Sequence, residues 1–386
     1  MANIKESAFE ELNWAVKHRR FLHMYPELGM QEKNTSLYCQ EVMRFLGYKI
    51  KKCWGYGFIA DLIIDKTKKT IAWRTDMDAL PVKEENTHSF VSKIPGVAHM
   101  CGHDAHMAAA LLIAKLVVKN KKKLSCNVRF IFQPNEENPP GGALGMIKEG
   151  CLEDVDEIYG FHKDISIETG KIKIKEGAVT ANVANFDLIL KGKGTHAATP
   201  HIGLDPLLAA VNLINLWQSI ITRRINATHF TLLSVSKFIS GNIHNVISDK
   251  AELSGTVRSY SKEDMNLIEE FMWNSVKSLK MQGYKCEFDF ARAYTSVINK
   301  EYGTKRVIEV AEKIVGKKNV DTKYENTLCG EDFSYYLQKV EGAFFFLGAR
   351  NEEKNIFEIS HSSKFDVDED AIAIGAAIGL ELILSS

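Results

Sequence analysis

The chain has 386 residues, 45% of them hydrophobic and 25% charged, with only 8 prolines, the composition of a globular protein with two domains or one large domain carrying an insertion. That composition excludes fibrous and disordered classes, and the length is enough to bury a substantial core. Lys and Arg number 49, as do Asp and Glu, so zero net charge gives no reason to expect nucleic acid or an anionic membrane as the main partner, and a small ligand fits better.

The pattern predicts helices over 7–22 and 31–46, the second stopping at Leu46-Gly47, where glycine can take a left-handed conformation. Strands follow at Phe58–Ile64 and Thr70–Trp73, then a strongly apolar helix at Asp104–Val118, then short buried strands at Val128–Phe132 and Glu157–Phe161. This is an α/β layout with helices on both faces of a sheet. The lysine run Lys119–Lys123 reads as the solvated end of the apolar helix. Between about 180 and 291 the order changes to strand (Asn185–Leu190), helix (Asp205–Ile221), two strands (Phe230–Phe238 and Ala251–Tyr260), a helix and a last strand, the ferredoxin-like pattern. Asp205-Pro206 and Ser261 with Asp264 are the helix-start signals there. Helices near 301–315 and 331–339, a strand at Ala343–Leu347 and a helix from Glu369 then resume the first style. The middle block, 181–291, is therefore expected to be an inserted domain within a discontinuous one made of 1–180 and 292–386.

Met1–Ser7 has no basic stretch followed by an apolar run, and no segment approaches about 18 uncharged apolar residues, so neither a secretory leader nor a membrane span is expected. The seven cysteines (Cys39, Cys53, Cys101, Cys126, Cys151, Cys286, Cys329) are odd in number and widely spaced, and read as reduced thiols. A cytoplasmic location is the expectation.

No Gly-x-Ser-x-Gly elbow, His-Glu-x-x-His helix or phosphate-binding Gly-x-x-x-x-Gly-Lys-Ser/Thr loop is present. Gly192–Ala197 loosely matches a dinucleotide fingerprint, but Pro200, Gly203 and Pro206 keep a helix from opening there and no acid follows at the required distance. Metal-competent residues instead gather at strand ends and helix starts. In Cys101-Gly102-His103 a thiolate and an imidazole flank a glycine and can turn toward one borderline ion such as Zn²⁺. Glu136-Glu137 follows the strand ending at Phe132, where one carboxylate can bind metal and the other handle a proton. Asp78, in Arg74–Pro81, can be a ligand or an acceptor that fixes a liganding histidine. His162 and His361 complete the set. Taken singly each has an ordinary reading: a buried thiol beside a capping histidine, a solvated acid pair, a satisfied histidine.

Together the strings RTDMDALP (74–81), HMCGHDAHM (99–107), FQPNEE (132–137), GKGTHAATPH (192–201), NVISDKAELSGTVRS (245–259) and GEDFSYYL (330–337) resemble the metal-dependent amidohydrolases. That family includes hippurate hydrolases, N-acyl-amino-acid amidohydrolases, N-acetyldiaminopimelate deacetylases and auxin-conjugate hydrolases. The resemblance spans nearly the whole chain in the expected order. It implies a zinc-peptidase-like catalytic domain with a mixed sheet flanked by helices, two divalent metal ions (Zn²⁺ or Mn²⁺, with Co²⁺ or Ni²⁺ as alternatives), and a ferredoxin-like satellite domain that pairs two subunits. Carried over position by position, Cys101, His103, Glu137, His162 and His361 would be the metal ligands, Glu136 the general base and Asp78 the supporting acid. His196 would help hold the scissile carbonyl, reaching a neighbouring active site, and Asn245 and Arg258 would bind the substrate's carboxylate end. Three residues depart from the family pattern: Asn135, where alanine is common; Thr195, where a second glycine is common; and Lys163, where an apolar or amide residue is usual. His99, His106 and His201 lie inside the motifs without a ligand role. The expected reaction is hydrolysis of the amide bond of N-acyl amino acids. A dipeptidase or carboxypeptidase on the same scaffold, or a binding protein without turnover, are the alternatives.

Overall fold

The structure, a computed structural model, describes residues 4–386; the first three residues of the stretch read for a leader lie outside them. The chain forms two compact units, one made of Met1–Val179 (described from Ile4), Val297–Glu325 and Asp332–Ser386, the other of Thr180–Ser296 and Asn326–Glu331.

In chain order the first unit contains α1 (Ile4–Glu10), α2 (Leu12–Met24), α3 (Lys33–Phe45), β1 (Lys49–Lys52), β2 (Phe58–Leu62), β3 (Thr70–Asp76), α4 (His103–Lys119), β4 (Asn127–Gln133), α5 (Ala143–Lys148), β5 (Glu157–Glu168), β6 (Ile172–Lys173) and β7 (Gly177–Ala178). The second unit follows with β8 (Asn182–Lys191), β9 (Thr195–His196), α6 (Pro206–Arg223), β10 (Thr231–Ser240), β11 (Val246–Ile247), β12 (Lys250–Ser259), α7 (Lys262–Met281) and β13 (Lys285–Arg292). The chain then returns to the first unit with β14 (Ile298–Asn299), α8 (Glu301–Val315), β15 (Val320–Asp321), α9 (Ser334–Leu337), β16 (Glu341–Arg350) and α10 (Asp370–Leu384).

The large sheet of the first unit runs β1-β2-β4-β3-β5-β16-β6-β15. Its centre is parallel: β3 pairs with β4 and β5, and β5 with β16, while β1 and β2 add an antiparallel edge. Every residue of β3 and β4 is buried, as expected of strands covered on both faces. Almost every side of α4 is apolar and buried, so it is a core helix, packed against α2 and α10. Pairing between β3 and β5 stops at Trp73 opposite Tyr159. Beyond it β3 follows β4 alone and β5 follows β16 alone, so the sheet opens a crevice at the carboxyl ends of its strands, where open α/β sheets bind ligands.

The second unit has the sheet order β10-β12-β8-β13, with all three pairings antiparallel and α6 and α7 packed on the sheet. This is the ferredoxin-like arrangement of the strand-helix-strand-strand-helix-strand order. Asp205 caps α6 by accepting from the Leu207 and Leu208 amides, and Ser261 caps α7 by accepting from the Asp264 amide.

Several expected elements differ. The helix expected over 7–22 is two helices, because Glu11 leaves helical geometry (φ −98°, ψ 1°) and gives its carboxylate to Lys115 and Lys119 of α4. The strand expected at 157–161 continues to Glu168, held by β16. The helix expected at 331–339 shrinks to Ser334–Leu337, since the Asp332 carboxylate is taken up by Arg74, Gln133 and the Ala143 amide. β1 and α5 carry no pattern that announced them.

Where α2, α3 and α4 meet, His18 packs edge-on to Trp14 at 4.2 Å and shares a 2.6 Å hydrogen bond with the Tyr38 hydroxyl. Burial, and then the nearby Lys115 ammonium, push its pKa down from 6.5 to about 4. The folded state thus excludes a proton that the unfolded chain takes up below 6.5, and stability is expected to fall as pH drops from 6.5 to about 4. Urea unfolding across that window should show a smaller slope for His18→Gln than for the parent protein; equal slopes would contradict the assignment.

Candidate metal centre

The pieces of the centre all lie in the first unit, around the crevice. β3 delivers Asp76 and then Asp78, β4 delivers Glu136 and Glu137, β5 carries His162, α4 opens with His103, and His361 lies in the segment between β16 and α10. Gly102 has φ +75°, the left-handed region that lets Cys101 and His103 turn toward a common point. A Cβ built there would also lie 2.9 Å from the Lys163 side chain. At the centre two non-glycine residues also adopt that backbone region, Asn135 (φ 58°) and His361 (φ 69°), and such conformations persist where the surroundings enforce them. Here the His361 amide donates to the Met100 carbonyl at 2.8 Å and the Asn135 amide to Glu32 Oε1 at 2.8 Å. Asparagine tolerates this conformation better than alanine, which gives the departure at 135 a backbone reason.

The donor atoms of Cys101, His103 and His162 form one group, those of Cys101, Glu137 and His361 a second, and those of His103, Glu136 and Glu137 a third, with all atoms of each group within 4.8 Å of one another. Cys101 Sγ is 3.4 Å from His162 Nε2, His361 Nε2 is 3.4 Å from Glu137 Oε1, and His103 Nε2 is 3.8 Å from that same oxygen. Ligands at the corners of a tetrahedron with metal bonds of about 2.0–2.3 Å are about 3.3–3.8 Å apart, so the set fits borderline divalent ions. His103 Nε2 and Glu137 Oε1 are buried with no hydrogen-bond partner, a costly arrangement unless a cation satisfies both.

The tautomers agree. The Nδ1–H of His103 donates to the Asp78 carbonyl at 2.9 Å and that of His162 to the Lys163 carbonyl at 2.7 Å, leaving both Nε2 lone pairs facing the centre. Burial, with Lys163 beside it, holds His162 well below its ordinary pKa, so the imidazole is neutral. Burial pushes Glu137 upward, but His361 and His103 outweigh it and the carboxylate stays ionised; Cys101 and Glu137 in turn draw His361 up to about 10. Asp78 acts differently from the simplest expectation: its backbone carbonyl orients His103, while Oδ2 accepts from the Glu137 amide at 2.9 Å.

Asp76 and Arg74 were not singled out in the sequence, yet they support the whole centre. The Arg74 guanidinium donates to Asp76 Oδ2, Asp332 Oδ1 and Gln133 Oε1, at 2.8–2.9 Å. His106 donates from Nδ1 to Asp76 Oδ1 at 2.8 Å and accepts from the Lys163 amide at Nε2, which engages both ring nitrogens and leaves it a structural residue. Burial raises Asp76, but His103, His106 and Arg74 prevail and hold it well below the usual range. Only the RTDMD spacing hinted at this network. The Lys163 ammonium donates to Ser360 Oγ at 2.5 Å and lies 4.3 Å from the Phe365 ring centre.

His196, Asn245 and Arg258 belong to the second unit. β9 pairs with β11, setting His196 opposite Val246, and the Ala197 amide donates to the Asn245 carbonyl at 3.0 Å, so His196 and Asn245 are neighbours. Arg258, half-buried on β12, donates to the Val257 carbonyl and to Thr256 Oγ1. Thr195 is fixed by its pairing with Ile247 and by a 3.3 Å hydrogen bond to the Thr199 carbonyl. Among the described residues no helix is long and apolar enough to cross a membrane, and all seven cysteines are free thiols.

Residues 72–385 match the model of peptidase family M20/M25/M40. The chain is 37% identical to thermostable carboxypeptidase 1 of Saccharolobus solfataricus, covering 97% of this chain and 95% of the relative. It is 34% identical to the N-acetyldiaminopimelate deacetylase of Priestia megaterium, covering 95% and 96%. A solved dinuclear metal-binding M20 peptidase from Bacillus subtilis superposes with a TM-score of 0.82 at 30% identity, over 97% of each chain.

Because buried donor atoms lack partners here, chelation should lower the melting temperature, and added Zn²⁺ or Mn²⁺ should restore it. Cys101→Ala, which removes a donor common to two groups, should abolish most of that metal-dependent shift in calorimetry. An unchanged melting temperature on chelation would mean that these atoms hold no ion.

Proposed function

The chain belongs to peptidase family M20/M25/M40, and we propose that the amide bond it cleaves is that of an N-acyl amino acid, with Glu136 moving the proton. It is a metal-dependent hydrolase of amide bonds, and the observation that carries the finer reading is the convergence of Cys101, His103, Glu137, His162 and His361 beside a buried Glu136. These five residues would hold two divalent ions. The chemistry such ions supply when bound is a water acidified from about pKa 15.7 toward 7 and a polarised carbonyl.

The remaining work falls to the chain. Glu136, whose Oε2 is 3.9 Å from His103 Nε2, takes the proton of the attacking water and returns it to the leaving amine nitrogen as the C–N bond breaks. Asp78 holds Glu137 through its backbone amide and His103 through Nδ1, so the two carboxylates have separate tasks. For the second unit we propose that His196 donates to the developing oxyanion and that Asn245 and Arg258 bind the substrate's carboxylate. We further propose a homodimer formed through the second unit, Zn²⁺ or Mn²⁺ as the ions and a cytoplasmic setting, which the free thiols support. Carboxypeptidase or dipeptidase activity is the second reading, favoured by the identity to the Saccharolobus carboxypeptidase.

Amine release from N-acetyl, N-benzoyl and indole-acetyl amino acids and from simple dipeptides separates the two. Faster turnover of the acyl amino acids is expected, and exclusive turnover of dipeptides would replace the first reading by the second. Glu136→Gln should keep its bound metal while kcat falls by roughly 100 to 10,000-fold. His196→Ala should lose on the order of 100 to 1,000-fold in kcat; wild-type rates would remove it from the mechanism.

A further inference from the structure

A separate group of metal-competent side chains sits in the first unit, outside the centre described above. His23 on α2 and Glu84 and His88, in the segment between β3 and α4, bring their donor atoms within 4.8 Å of one another. His23 Nε2 is 3.1 Å and His88 Nε2 3.2 Å from the same oxygen, Glu84 Oε1. Those separations match the roughly 3.3 Å edge of a tetrahedral site with metal–nitrogen bonds of about 2.0 Å.

The surroundings hold each donor in a ligating pose. His23 Nδ1 is engaged by Asp104 Oδ2 at 2.9 Å, and the Arg19 guanidinium fixes that carboxylate at 2.8 Å. Burial opposes protonation, but the Asp104 and Glu84 carboxylates draw His23 up to about 9, and an ion would replace the Nε2 proton while Nδ1 keeps its own toward Asp104, the carboxylate–histidine arrangement found behind metal-ligating histidines. Glu84 is oriented by the Ser92 amide, which donates to Oε2 at 2.7 Å, and by Asn86 Nδ2 at 3.1 Å from Oε1. Both ring nitrogens of His88 are buried without a hydrogen bond, although Nε2 lies close to the carboxylate. Phe90 stacks on His88 at 3.7 Å and meets His23 edge-on at 5.5 Å, screening the group on one side. His88 also lines a surface cavity of about 480 Å³, which gives an ion a way in and leaves room for a fourth ligand.

His23 already shares a hydrogen bond with Glu84, but the buried ring nitrogens of His88 have none, and a cation held among the three side chains would engage His88 Nε2 together with the other two donors. We propose that His23, Glu84 and His88 form an additional binding site for a borderline divalent ion of the Zn²⁺ type, distinct from the centre that contains Cys101. An ion there ties the long irregular segment leading to Cys101 onto α2, so its effect falls on stability and not on turnover.

The test uses the full chain equilibrated with Zn²⁺ and compares the parent with His88→Ala and Glu84→Gln by elemental analysis and calorimetry. Both variants are expected to carry one zinc fewer than the parent, to lose part of the zinc-dependent rise in melting temperature, and His88→Ala to keep the parental kcat. His88 lies in an irregular, partly exposed segment, so its replacement leaves the core intact. Equal zinc content in the three proteins overturns the proposal and leaves a protonated His-Glu-His cluster in its place.

Discussion

Where β3 and β5 part company after Trp73 and Tyr159, two parallel strands stop satisfying each other, and the rest of the catalytic unit is arranged around that opening. A gap inside a buried sheet is expensive unless its polar lining is paired. Arg74 meets this demand on one side, binding Asp76, Asp332 and Gln133 at once, and His106 meets it on the other, bridging Asp76 to the backbone of β5. With the walls satisfied in this way, His103 Nε2 and Glu137 Oε1 are left without a hydrogen-bond partner at the place where ions can be held.

This division explains what could be read in the sequence. Cys101-Gly102-His103 and Glu136-Glu137 are visible because each is a local arrangement: a turn into a helix, or a loop leaving a strand. The inserted ferredoxin-like pattern is visible because hydrophobic periodicity and caps such as Asp205 and Ser261 are local as well. What stayed hidden depends on residues far apart in the chain. Arg74 meets Asp332 across 258 positions, and His23 meets Asp104 across 81. Periodicity says nothing about such pairs. The same holds for the extension of β5 past Phe161, which exists because β16 pairs with it, and for the return of Asn326–Glu331 to the second unit.

Charge in the catalytic unit is organised as a relay of fixed positions. Asp104, next to His103 in sequence, turns away from the centre to hold Arg19 and His23. Asp78 turns its carbonyl to His103 and its carboxylate to the Glu137 amide. His103 and Glu137 are therefore held by Asp78, which is itself buried and bonded, the condition for a site whose geometry does not depend on the substrate arriving.

Gly102 links this arrangement to the freedom available to engineering. Its left-handed backbone already disfavours any side chain, and the space a Cβ would need is taken by the Lys163 stem. Trimming Lys163 to a smaller residue would lift the steric objection and leave the backbone one untouched, so position 102 stays closed to substitution while 163 does not. A library aimed at reshaping the centre gains more by varying 163 against a constant glycine than by varying the two together.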